Sequence, residues 1–201
     1  ASVASHLPGW QVGSATLAAP DALQHAIAAL GPRGVVFPLF MACGWFTGTH
    51  LPERLAQVGG RGWRVLIPFG CMPAIQDLTI SIAREALTHP PDQTDLILAA
   101  HGSGRSPAPA VIARSVAGRI QRELGLRRVE AAFIDQSPRI ADLRGFGGNA
   151  LCLPYFAAEG GHVTDDIPQA LSDAGFAGRL LPAVGCDPRV PAILAKSLQT
   201  G

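Results

Sequence analysis

Three residues of this chain have types and surroundings that could do chemistry together: His101, Asp135 and His162. His101 closes the run Asp95-Leu-Ile-Leu-Ala-Ala-His101 and is followed by Gly102, Ser103 and Gly104. Asp135 ends Val129-Glu-Ala-Ala-Phe-Ile-Asp135, and His162 lies in the loop after Ala150-Leu-Cys-Leu-Pro-Tyr-Phe156. Two imidazoles and a carboxylate suit a borderline divalent ion such as Co, Ni, Fe or Zn. They also suit proton abstraction near neutral pH. The plain structural alternative is that Asp135 caps the turn beside Ser137 and Pro138 while both histidines are ordinary loop residues. Ser103 suggests a hydrolase, but no base is spaced to activate it.

The elements that must position this trio follow from hydrophobic patterning. The apolar run before His101 is too short for a membrane span and reads as a strand buried on both faces. From Pro109 to Leu124 apolar residues recur with helical spacing (Val111, Ile112, Val116, Ile120), so the unit is strand, glycine loop, helix. Strands are expected near 95–100, 129–135, 150–155 and 180–184, alternating with helices. That alternation implies an α/β fold with a parallel sheet and right-handed crossovers. If the first of these strands lies between the second and third, all three polar residues converge at the strands' carboxyl ends, where open parallel sheets bind ligands.

Bulk properties narrow the partners. The chain has 201 residues, a net charge of +1, 48% hydrophobic and 15% charged residues. That leaves no global basic field to attract nucleic acid or an anionic membrane. No secretory h-region and no run of 18 apolar residues is present. Cys43, Cys71, Cys152 and Cys186 form no CxxC pair, and Cys152 sits in an apolar strand as a free core cysteine would, so a reducing cytoplasm is expected.

The chain also contains a repeat. Val35-Val-Phe-Pro-Leu-Phe40 matches Ala150–Phe156, each followed by a glycine loop and a Pro-led helix start at Leu51-Pro52 and Ile167-Pro168. Val65-Leu-Ile-Pro-Phe-Gly-Cys71-Met-Pro73 matches Leu180-Leu-Pro-Ala-Val-Gly-Cys186-Asp-Pro188, and Trp10–Leu17 matches Val129–Asp135. Four features in one order imply duplicated α/β halves, 1–91 and 92–201, joined at Thr88–Asp92. In this register Phe46 takes the place of His162 and Leu17 that of Asp135, so the first half lacks the polar trio. Trp45 and Phe46 are instead consecutive aromatics, fit either for core packing or for an apolar wall against a flat ligand. Aligning Pro20 with Pro138 leaves no counterpart for Asp92–Gly118, the strand and loop that carry His101. A strand from upstream of Ala1 or from a partner chain is expected to fill that slot.

The second half resembles the class II tetrapyrrole chelatases, the CbiX/SirB-like sirohydrochlorin chelatases of the cobalamin and siroheme pathways. The resemblance rests on His101-Gly102-Ser103, on Phe133-Ile134-Asp135 with Pro138, and on Pro154-Tyr155-Phe156 with Gly160-Gly161-His162 and Asp166-Ile167-Pro168. It covers 92–201 strongly and 10–91 as a divergent copy. Two positions depart from the pattern: Asp135 stands where the family usually has Glu, and the arginine that follows His-Gly-Ser is displaced to Arg105.

The resemblance implies an active cleft between two chelatase-like halves and insertion of Co²⁺ or Fe²⁺ (or Ni²⁺) into sirohydrochlorin. His101, His162 and Asp135 would be the metal and catalytic residues. One imidazole would accept a pyrrole proton, and Asp135 would hold a base or orient an imidazole. Ser103, Arg105, Gly160, Gly161, Trp45 and Phe46 would bind the tetrapyrrole, with Arg105 and Arg189 as candidate partners for its carboxylates. The metal is a substrate, no organic cofactor is implied, and a homodimer is compatible with the reading. The alternative is a chelatase-derived protein that binds a tetrapyrrole or metal without turnover.

Overall fold

The computed structural model describes residues 3–200, which form two compact units. One comprises residues 70–187; the other comprises 3–69 together with 188–200.

The 70–187 unit is built on a parallel sheet of β3 (Asp95–Ala100), β4 (Arg128–Phe133), β5 (Leu151–Pro154) and β6 (Arg179–Leu180), in the order β4-β3-β5-β6. Strand β3 is the central one, as convergence of the trio requires. All six of its residues are buried. Its register sets Leu96 beside both Val129 and Leu151, and Ala99 beside both Ala132 and Pro154. Successive side chains alternate between the sheet's faces. Ile97 and Ala99 join the cluster that includes Cys152, Val163, Ile167 and Leu171, whereas Ala100 packs with Ala110, Ala113 and Phe133. An all-apolar strand is therefore what this position demands.

Helices α3 (Pro73–Glu85), α4 (Ala108–Leu124) and α5 (Ile167–Asp173) complete the unit. Helix α4 stops at Gly125, whose φ of +65° is the left-handed conformation that glycine adopts without a Cβ penalty. At the opposite end of β3 from the site, Asp95 is 2% exposed and accepts two hydrogen bonds from Arg127, Nε at 2.8 Å and Nη2 at 2.6 Å. A paired fork of this kind satisfies a buried carboxylate and ties the start of β3 to the start of β4.

The other unit contains α1 (Ala22–Leu30), β1 (Arg33–Val36), α2 (Leu51–Gln57), β2 (Gly62–Val65) and α6 (Val190–Thr200). Its sheet has two parallel strands, β1 and β2. The core gathers Ile27, Leu51 and Leu55, with Leu17, Val36 and Trp63 packed against them. The Trp63 indole lies over Gly34, where a Cβ would come within 2.8 Å of the ring, and its Nε1–H donates to the Gly31 carbonyl at 2.9 Å.

The expected strand at Trp10–Leu17 does not form, and Trp10 and Val12 are 44% and 42% exposed. The cause lies in the strand order. Its counterpart β4 touches only β3, and this unit has no described strand corresponding to β3. A segment whose sole neighbour is missing has nowhere to place its backbone hydrogen bonds except in water. The expectation about residues upstream of Ala1 lies outside the described residues. The cysteines also depart from expectation. Cys152 and Cys186 are free, and burial pushes the Cys152 thiol up, but Cys43 and Cys71 are disulfide-bonded, which a wholly reduced set would not show.

The strand difference predicts hydrogen exchange. Amides of residues 11–17 should exchange at close to unfolded-chain rates, while those of β3 should be among the last to exchange. Protection of 11–17 comparable to that of β1 would show that this segment is paired after all.

Candidate metal-handling site

The site lies in the 70–187 unit, at the carboxyl ends of its strands. The β3–β4 ladder continues past the strands proper: Ile134 N–H donates to Ala100 O at 3.1 Å, and Asp135 N–H donates to His101 O at 2.9 Å. Asp135 is thereby placed beside His101, and its Oδ2 lies 3.4 Å from the His101 Nδ1. The same Nδ1 is 3.0 Å from the Gly102 carbonyl, which makes it the protonated nitrogen and leaves Nε2 with a lone pair.

Gly102 is the pivot of the loop. Its φ is +77°, and a Cβ there would lie 2.7 Å from Gln136 Cγ and 3.0 Å from Phe133 Cβ. Gln136 fills that space and accepts a hydrogen bond from Ser103 N–H at 2.8 Å. The Ser103 hydroxyl accepts from Arg105 N–H at 3.1 Å and forms a local turn, so its recorded partner is not a catalytic base.

The third polar group arrives from β5. Tyr155, 1% exposed, continues that strand through its N–H to Ala99 O at 2.7 Å, and its hydroxyl donates to Gly70 O at 2.6 Å. Burial pushes this phenol up, so it is neutral. Beyond it, the Gly160 carbonyl accepts from Val163 N–H at 2.7 Å and Thr164 N–H at 3.0 Å, starting a π-helical turn over His162–Asp166 that runs directly into α5. Gly160 and Gly161 are exposed and have ordinary φ values, so they leave open space beside His162 rather than relieve strain.

The two imidazoles meet. His101 Nε2 and His162 Nε2 are 3.1 Å apart, with the rings edge-on at 86°. Two imidazole nitrogens bound to one ion at about 2.0–2.1 Å stand roughly 2.8–3.4 Å apart at right-angled to tetrahedral geometry. Behind each ring is a carboxylate: Asp135 on His101, and Asp166 on His162 with Oδ2 2.6 Å from Nδ1. The four side chains are 42–54% exposed, which leaves room for an incoming ion. Among the described residues, no three His, Cys, Asp or Glu side chains are grouped so as to hold one ion. Asp135 faces Nδ1, away from the point between the Nε2 atoms.

Sequence reasoning missed two residues here. Asp166 was legible as the i+4 partner of His162. Gln136 had no signal, because its role depends on a cross-loop contact.

The remaining candidates lie elsewhere or stand in solvent. Arg105 is exposed, and Arg189 belongs to the other unit, just ahead of α6. Trp45 and Phe46 also belong to that unit. Trp45 is 66% exposed and stacks on His50 at 5.1 Å; Phe46 lies 4.8 Å from Phe40 and 5.1 Å from His50. Core packing does not describe a Trp ring that open. Phe46 heads a π-helical turn, Phe46–His50, of the same length as His162–Asp166 and likewise followed by a seven-residue helix. Leu17, aligned with Asp135, packs against the unit's core.

Comparison with known proteins places the chain in a family. The CbiX family model matches residues 95–200. The chain is similar to the solved structure of CbiX, the terminal enzyme for biosynthesis of siroheme in denitrifying bacteria. The TM-score is 0.88 at 43% identity, covering 100% of this chain and 88% of that one. A multi-domain Deinococcus radiodurans protein with structural similarity to chelatases matches with TM-score 0.72 and 22% identity, over 98% of this chain and 47% of that one. SirB from Bacillus subtilis with Fe³⁺ matches with TM-score 0.70 and 14% identity, over 98% and 86% respectively. At those identities the last two show the fold alone. No curated protein matches the chain. The chain belongs to the CbiX family of class II chelatases.

Gly102→Ala tests the pivot. The substitution should destabilise the fold by about 1–3 kcal/mol through its positive φ and the contact with Gln136, and it should displace His101, as read by urea denaturation and Co²⁺ binding. Wild-type stability together with wild-type Co²⁺ affinity would remove Gly102 from the account.

Proposed function

We propose that this chain inserts a divalent metal, Co²⁺ or Fe²⁺, into sirohydrochlorin in siroheme or cobalamin biosynthesis. The observation that carries the proposal is the pair of Nε2 atoms facing each other at 3.1 Å, each ring backed by a carboxylate. The chain is an enzyme of the metal-inserting chelatase type, and the non-catalytic alternative gives way. No helix among the described residues is long and apolar enough to cross a membrane.

The reaction is M²⁺ plus the free-base macrocycle giving the metallated macrocycle and two protons. A chelatase must hold its ion weakly enough to pass it on. A closed four-ligand protein site would trap the metal, whereas two imidazoles leave positions open for water and then for pyrrole nitrogens. In this reading His101 and His162 bind the ion, and as it leaves one of them accepts a pyrrole proton. Asp135 orients His101 from the Nδ1 side, the second of the two roles the resemblance implied. Ser103, Gly160 and Gly161 present backbone at the strand ends, and Arg105 meets substrate carboxylates. Trp45 and Phe46 contribute apolar contact with the macrocycle. Cobalt and iron enter as the candidates that the resemblance to the sirohydrochlorin chelatases implies, and the SirB structure holds iron as Fe³⁺.

The halves 1–91 and 92–201 fit this proposal as products of duplication. The run strand, π-helical turn, helix, strand, 3₁₀ turn, helix occurs twice in the same order, once from β1 to α3 and once from β5 to α6. The compact units assign α3 and α6 each to the other unit from the rest of its run.

Incubation with sirohydrochlorin and Co²⁺, Fe²⁺ or Ni²⁺, followed by visible absorption, tests the activity. The wild type should accelerate insertion of Co²⁺ or Fe²⁺ over the protein-free rate. His101→Ala and His162→Ala should each lose at least about 100-fold while unfolding within about 0.5 kcal/mol of wild type. Insertion at the wild-type rate by either variant would refute the assignment. Phe46→Ala should weaken sirohydrochlorin binding by about 1 kcal/mol, roughly fivefold in Kd, and Phe46→His should not rescue His162→Ala. Unchanged affinity in Phe46→Ala would take this aromatic out of the substrate site.

A further inference from the structure

We infer that Asp166 is a positioning residue for metal transfer: its carboxylate accepts the His162 Nδ1–H and so fixes the tautomer that presents Nε2 to the ion. The inference rests on the chelatase reading above and assigns a role to a residue outside the expected trio.

Four observations support it. The Asp166 Oδ2 lies 2.6 Å from His162 Nδ1, a short and charge-assisted contact. A neutral imidazole has one N–H. A carboxylate at Nδ1 claims it and leaves the lone pair on Nε2, which is the nitrogen 3.1 Å from His101. Helix capping does not explain Asp166. It occupies the N-cap position of α5, yet its side chain makes no capping hydrogen bond. Nor does the π-helical turn need an acid there. The turn at Phe46–His50 forms with His50 in the same place and runs into an equally long helix. The backbone device is therefore shared, and the acid is present only where the turn carries a metal-binding histidine.

The two imidazoles are held differently. His101 has a backbone carbonyl at 3.0 Å and a carboxylate at 3.4 Å, whereas among the described residues the Nδ1 partner of His162 is Asp166. Removing Asp166 should thus free His162 to rotate and change tautomer, with little effect on the fold.

The experiment compares full-length wild type with Asp166→Ala, Asp166→Asn and Asp165→Ala, which removes the same charge one residue away. Three readouts are taken: ¹⁵N chemical shifts of the His162 ring without metal, Co²⁺ binding by visible absorption, and kcat and KM for sirohydrochlorin. The wild type should show His162 protonated at Nδ1. Asp166→Ala should shift the ring towards the Nε2–H tautomer, weaken Co²⁺ binding 10- to 100-fold and lower kcat by a similar factor, with KM for sirohydrochlorin unchanged. Asp166→Asn keeps an acceptor oxygen and should fall between the two. Asp165→Ala should match wild type.

An Asp166→Ala protein with wild-type tautomer, Co²⁺ affinity and kcat would reduce the contact to a surface ion pair and overturn the inference. Equal losses in Asp165→Ala would also overturn it, in favour of a general charge effect. Should Asp166→Ala fail to fold, Asp166→Asn carries the same test. Should the wild type neither bind Co²⁺ nor insert metal, the chelatase reading fails, and the metal-free tautomer still decides whether Asp166 sets the imidazole.

Discussion

A strand hydrogen-bonded along both edges and buried on both faces has no freedom in where it ends, and the site depends on that constraint. Strand β3 is fixed by its register with β4 on one side and β5 on the other. Because all three run parallel, whatever follows each of them arrives at the same end of the sheet. His101 and Asp135 are delivered directly by this ladder, and His162 one loop later. The fork between Arg127 and Asp95 holds the far end of the strands, away from the chemistry. Function and stability are thus separated along the length of β3.

At the near end the arrangement suits, in the function proposed above, transfer rather than storage of a metal. Two neutral imidazoles with their lone pairs aimed at one point repel each other unless a cation or proton lies between them. Keeping them aimed there requires acceptors on the opposite nitrogens: the Gly102 carbonyl and Asp135 for His101, and Asp166 for His162. Such orientation from behind is how outer carboxylates tune ligand histidines. Gln136 and Gly102 add a steric term, since the loop can turn at Gly102 only because no Cβ occupies the space that Gln136 fills. Half-exposed side chains leave the point between the rings open to solvent.

Much of this was readable from residue order. The apolar run Leu96–Ala100 reads as a strand buried on both faces, which is what β3 is. His101, Asp135 and His162 were placed by the strand ends alone, and the Pro-led helices begin at Leu51 and Ile167 as their sequences imply. Contacts between distant segments were not readable. Residues 10–17 have a strand-like sequence, but β-structure there depends on a neighbour, so local pattern misleads. Asp135 was read as a metal donor because carboxylate and imidazoles converge. Which nitrogen it faces is a matter of side-chain geometry, and it faces Nδ1. Strands β1 and β6 end four residues short of the expected Phe40 and Val184 for a plain reason. Pro38 and Pro182 cannot donate to a ladder, and β1 and β6 end before them.

The central claim is that one metal ion is held jointly by His101 and His162 before transfer. X-ray absorption fine structure of the Co²⁺-loaded protein, without tetrapyrrole, measures this directly. The account predicts a first shell with two imidazole nitrogens at about 2.1 Å and the remaining positions filled by water oxygen. A shell of oxygen alone, or one containing a single imidazole, would contradict it.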